Sequence, residues 1–143
     1  MPAISANQLT SPYQTVFIPF GANANGAVTQ AGAYGYRLWV TTQPTYVLGI
    51  TVLEGAGTAA GTLQAAYSTD LYATTAMTLT NFGDSAVNMV ASTTLELPIA
   101  KSGVTDDEKP LLLSANVAVG FNANASVVNT SKILGVIIKY RCP

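Results

Sequence analysis

Tyr46 to Glu54, YVLGITVLE, alternates. Leu48, Ile50 and Val52 fall on one side, and Gly49, Thr51 and Leu53 on the other. A two-residue period belongs to an extended strand, whose successive side chains point to opposite faces. The same period recurs on both sides of this stretch. Upstream, Ala33 to Thr42 (AYGYRLWVTT) groups Tyr34, Tyr36, Leu38 and Val40 against Gly35, Arg37 and Trp39. Downstream, Thr62 to Ser68 (TLQAAYS) aligns Leu63, Ala65 and Tyr67, and Thr93 to Ile99 (TTLELPI) sets Leu95, Leu97 and Ile99 against Glu96. Leu111 to Phe121 (LLLSANVAVGF) reads as one long strand with a stripe of Leu111, Leu113, Ala115, Val117, Val119 and Phe121. Lys132 to Arg141 (KILGVIIKYR) is apolar on both faces in its middle, the pattern of a central strand covered on each side. Gln14 to Phe20, Ala76 to Phe82 and Ala86 to Ala91 are weaker candidates. Pro19 and Pro98 cannot donate to a ladder, which places their strands at sheet edges.

Small-residue turns separate these runs at roughly 8–12-residue intervals, and no stretch holds a helical period. The expected fold is therefore all-β: a two-sheet β-sandwich of jelly-roll type with about eight strands. Alternating strands bury one face only against a second sheet, so the stripes must meet in one core. Residues 1–12 carry no pattern and read as an amino-terminal arm, and residues 13–143 as the sandwich domain.

Composition narrows the function. Of 143 residues, 49% are hydrophobic and 9% charged, against roughly 25% charged in an average domain. Six basic residues cannot lay a stripe along nucleic acid. With no histidine, histidine-based metal sites and catalytic dyads are excluded. One cysteine, Cys142, excludes a disulfide within the chain, and without a neighbouring base it is no candidate nucleophile. The longest strongly apolar run, Ile133 to Ile138, falls far short of the about 20 residues of a spanning helix, so no membrane partner is expected. The start, MPAISANQLTSPYQ, lacks the basic head and apolar centre of a secretory signal. No phosphate-binding glycine loop is present, and no cofactor is expected.

The carboxylates are Glu54, Asp70, Asp84, Glu96, Asp106, Asp107 and Glu108. A glycosidase needs two of them facing each other, but Asp70 and Asp84 sit in turn contexts and Glu96 points outward on its strand. The run Asp106-Asp107-Glu108-Lys109 lacks the alternate-position spacing of a calcium loop and reads as a solvated or subunit-contacting loop. No catalytic or metal-ligating residue is expected. The aromatics Tyr34, Tyr36, Trp39, Tyr46, Tyr67, Tyr72 and Tyr140 can either fill the core or stack on sugars.

The run YVLGITVLEGAGTAAGTLQAAYSTDLYATT and the closing KILGVIIKYRC resemble the small all-β structural proteins of tailed phages, the capsid decoration (cement) proteins and head-fibre bases. The resemblance spans roughly residues 46–141 and implies a non-enzymatic virion protein. Such a protein is a homo-oligomer, a trimer by preference, seated on the outer surface of a shell of major capsid protein. The sparse charge and net charge of −1 agree with an exterior that other protein covers. Ile4, Leu9 and Tyr13 of the arm and Asp106, Asp107, Glu108 and Lys109 of the charged loop are the candidate contacts. The alternative is a carbohydrate-binding module or adhesin domain with Trp39 at its stacking site.

Overall fold

A computed structural model describes residues 13–19, 34–55, 61–71, 80–83, 85–99, 111–124 and 133–143. They form ten strands and no helix. In chain order these are β1 (Gln14–Pro19), β2 (Tyr34–Val40), β3 (Thr45–Glu54), β4 (Thr62–Ser68), β5 (Thr80–Asn81), β6 (Val87–Asn88), β7 (Thr94–Leu97), β8 (Leu112–Leu113), β9 (Ala118–Ala123) and β10 (Ile133–Arg141). Sheet I has the order β1-β10-β3-β7, with β8 also on β3. Sheet II has the order β2-β9-β4-β5, with β6 also on β4. Every pairing is antiparallel.

The two sheets close on one apolar core, which makes the molecule a β-sandwich. Sheet I contributes Val47, Ile50, Val52, Leu95, Leu97, Val136 and Ile138, and sheet II contributes Leu63, Ala65, Val119, Phe121 and Ala123. Each buried Val or Leu contributes roughly 1.5–3 kcal/mol. The expected stripes of β4 and β7 face this core, and β1, β7 and the prolines Pro19 and Pro98 at their ends lie at the edges of sheet I.

Three readings of individual strands fail for a local cause. The first is the single strand over Leu111 to Phe121. It is two strands, in different sheets: β8 pairs with β3, while β9 pairs with β2 and β4. The chain crosses between sheets at Asn116, whose φ of 62° is the left-handed conformation that Asn tolerates better than most residues. Thr41, fully buried just past β2, pins the crossover. Its hydroxyl donates to the Ser114 carbonyl (2.7 Å) and accepts from the Val117 N–H (3.0 Å). Its main chain adds two bonds, Thr41 N–H to Val117 O (3.0 Å) and Asn116 N–H to Thr41 O (2.8 Å).

The second failure is the face of Trp39. The register of β2 on β9 runs Tyr36–Phe121, Arg37–Gly120, then Trp39–Val119, so Leu38 is an extra residue. This bulge turns Trp39 to the same side as Tyr36, onto the core and away from Arg37. The bulged backbone presses on Gly120, where a Cβ would stand 1.7 Å from the Tyr36 carbonyl oxygen. The third concerns β3. A register shift on β10 between Lys139 and Tyr140 makes Val47, not Leu48, the buried partner of Ile50 and Val52.

Candidate interaction surface

The outer face of sheet I is built from the side chains that alternate away from the core. The registers set them in rows: Thr15, Lys139 and Gly49; then Phe17, Ile137, Thr51 and Glu96; then Pro19, Gly135, Leu53 and Thr94. Phe17 lies across Gly135, where a Cβ would come within 2.4 Å of two ring atoms. Its ring is still 54% exposed. Leu134, at the irregular start of β10, packs beside Gly55 and is 57% exposed. Few charges border this face. Lys139 Nζ stands 4.0 Å from the centre of the Tyr13 ring, and the Thr51 hydroxyl donates to Glu96 Oε1 at 2.8 Å.

Among the described residues, therefore, β10 finds the cover expected on both its faces on one side only. Val136 and Ile138 are buried in the core, while Ile137 and Phe17 share a face that no described element covers. Exposed apolar side chains grouped on one sheet face mark a contact surface more than scattered ones do.

The outer face of sheet II is different. Gly35, Gly120, Ala66 and Ala118 carry little or no side chain, and both alanines have no exposed surface. Arg37, in register with Gly120, donates from Nε to the Asp70 carbonyl (2.6 Å) beyond the end of β4, so its stem must cross β9. Gln64 Nε2 donates to Gly83 O (2.8 Å) and Asn122 Nδ2 to Asn81 Oδ1 (2.7 Å). This face is closed over by the molecule itself.

Of the contact residues expected from sequence, Tyr13 is at the edge of the open face, half-exposed and over Lys139. Ile4, Leu9, Asp106, Asp107, Glu108 and Lys109 lie outside the described residues. Phe17, Leu134 and Ile137 are surface residues that sequence reading did not select, although the period of β1 and β10 set Phe17 and Ile137 opposite the core stripe. Six of the described aromatics stand in pairs: Trp39 with Tyr140 (4.7 Å between centroids), Tyr36 with Phe121 (5.3 Å) and Tyr67 with Phe82 (4.8 Å). Trp39 is half-buried and packed against the core.

Glu54 and Glu96 stand on neighbouring strands but on opposite faces of sheet I, so they do not face each other. Asp70 closes a turn, its N–H donating to Ser68 Oγ at 3.0 Å. Cys142 is half-buried with Sγ 3.9 Å from Thr45 Oγ1. No protein-family model, curated protein or solved structure matches the chain.

Proposed function

We propose that the protein is a non-enzymatic virion component, a capsid decoration protein that docks on the outside of a shell of major capsid protein through the outer face of sheet I. The observation that carries this reading is the exposure of Phe17 and Leu134, with the partly buried Ile137 in register beside Phe17, on a face with little charge, in a molecule of net charge −1. Strand order adds support. Numbering only the strands on the two main paths from one to eight along the chain, the orders become 1-8-3-6 and 2-7-4-5. These orders favour a jelly roll, an architecture used by viral capsid and lectin domains alike. The inward packing of Trp39 on Tyr140 favours the capsid use over sugar stacking.

The mechanism is linkage. A protein that binds only the assembled shell stabilises that shell by mass action. Near-neutral, apolar contacts give this stabilisation with little salt dependence, because few charges are screened. Copies associate as a trimer, each bridging neighbouring shell subunits.

The test is co-sedimentation with empty shells of the cognate major capsid protein, together with light scattering of the free protein. Wild type is expected to pellet with the shells, to raise their temperature of disruption, and to scatter as a trimer. Phe17→Lys is expected to fold and stay in the supernatant. Wild-type protein that does not bind, or a Phe17→Lys variant that binds equally well, overturns the proposal.

A further inference from the structure

Glu54 continues the inward alternation of Ile50 and Val52 and ends β3 with its side chain in the core. It is 4% exposed, and neither carboxyl oxygen has a hydrogen-bond partner. A buried polar group normally finds one, because leaving it unpaired forfeits its hydration. The surrounding backbone is tied down tightly. The Glu54 N–H donates to Thr93 O (2.9 Å), and the Ser92 N–H donates to Gly55 O (3.0 Å). Ser92 itself is held at a φ of 56°, and the Thr93 hydroxyl donates to Val90 O at 2.6 Å. On the other side Glu54 is in register with Ile133, where β10 begins irregularly before Gly135.

No cation compensates Glu54 among the described residues. On β10, Lys139 and Arg141 sit at the far end of the strand, Arg141 opposite Tyr46, and Tyr140 packs on Trp39. Cys142 follows them, against Thr45. On β7 the only ionisable group is Glu96, on the outer face. The 90–93 turn and the described parts of β5, β6, β8 and β9 carry none, and β4 carries only Tyr67, packed on Phe82.

We propose that Glu54 is a proton-controlled latch at this end of the sandwich: as the neutral acid it stays packed between the sheets, and on ionisation it draws water in and releases the Ser92–Thr93 turn and the start of β10. An unpaired carboxylate cannot stay in such a site without water, and the Ser92–Thr93 turn and Ile133 are the backbone bonded to or in register with Glu54 and its neighbour Gly55. Burial raises the Glu54 carboxyl from 4.5 to about 7. A raised acid binds its proton more tightly folded than unfolded. The stabilisation is thus complete below about 4.5 and lost as pH climbs through about 7.

The experiment compares the full-length protein with Glu54→Gln and Glu54→Met between pH 5 and 8.5, by thermal unfolding and by amide exchange corrected for intrinsic rates. In wild type, Tm is expected to fall across this range. The protection of the Glu54 and Ser92 amides is expected to fall on the order of 100-fold, because the ratio of the folded and unfolded acid constants bounds the effect. Both variants are expected to be flat. A carbon-13 carboxyl titration of wild-type Glu54 adds a reading that depends on neither variant folding. A midpoint below 5, a wild-type Tm independent of pH, or an unchanged fall in folded variants overturns the proposal.

Discussion

The two outer faces of the sandwich are made from the same kind of strand and end in opposite states. Sheet II uses Gly35, Gly120, Ala66 and Ala118 and is closed over, with Arg37 drawn across it to the Asp70 carbonyl. Sheet I uses Phe17, Ile137, Leu53 and Leu134, and leaves Phe17 and Leu134 more than half exposed. Apolar content alone therefore does not reveal which face is internal. Side-chain size does, because covering chain can approach a sheet closely only where the side chains are small.

The sharpest way to break this contrast is to add one methyl group to each sheet. Gly120→Ala is expected to cost on the order of 3 kcal/mol in urea unfolding, because its new Cβ meets rigid backbone at Tyr36. In Gly135→Ala the obstacle is the exposed Phe17 ring, which can swing away, and the loss is expected to stay below about 1.5 kcal/mol. Equal losses would show that the two faces do not differ in rigidity. Next in size, Arg37→Ala removes both a cover and a charged donor and is expected to cost roughly 1–2 kcal/mol. Phe17→Ser gives up the part of the ring that packs across Gly135 and is expected to cost only about 1 kcal/mol of folding while shell binding is lost. A large folding defect there would make Phe17 a structural residue. Lys139→Ala, which loses only its contact with the half-exposed Tyr13, is expected to stay within about 0.5 kcal/mol by the same measurement.

Much of the architecture was legible from period alone. Thr62 to Ser68 and Thr94 to Leu97 fold as strands with the stripes read from them, and the prolines marked edges because a missing donor is tolerated only there. Period fails wherever one residue breaks phase. Leu38 bulges and carries Trp39 across the sheet, and Asn116 turns the chain into the other layer. The bulge leaves the alternation of Tyr34 to Val40 intact as a pattern, and Ala115 and Val117 keep the apolar phase running through Asn116. The open face was half-legible: β10 is apolar on both sides, but whether each side is covered depends on elements far away in sequence. Glu54 was legible in principle, since extending the phase of Ile50 and Val52 by one step points it inward. Grouped with the other carboxylates simply as an acid, it lost that phase.

The pairing of Gln14 with Tyr140 has a consequence for biosynthesis. β10 is the seam between β1 and β3, so sheet I cannot close until the last strand has left the ribosome. Until then β1 waits for β10, its one strand partner among the described residues, and the nascent polypeptide carries the apolar Val16, Phe17 and Ile18 without that partner. Such sequence-distant pairing folds slowly and is most vulnerable to aggregation while the chain is still being made.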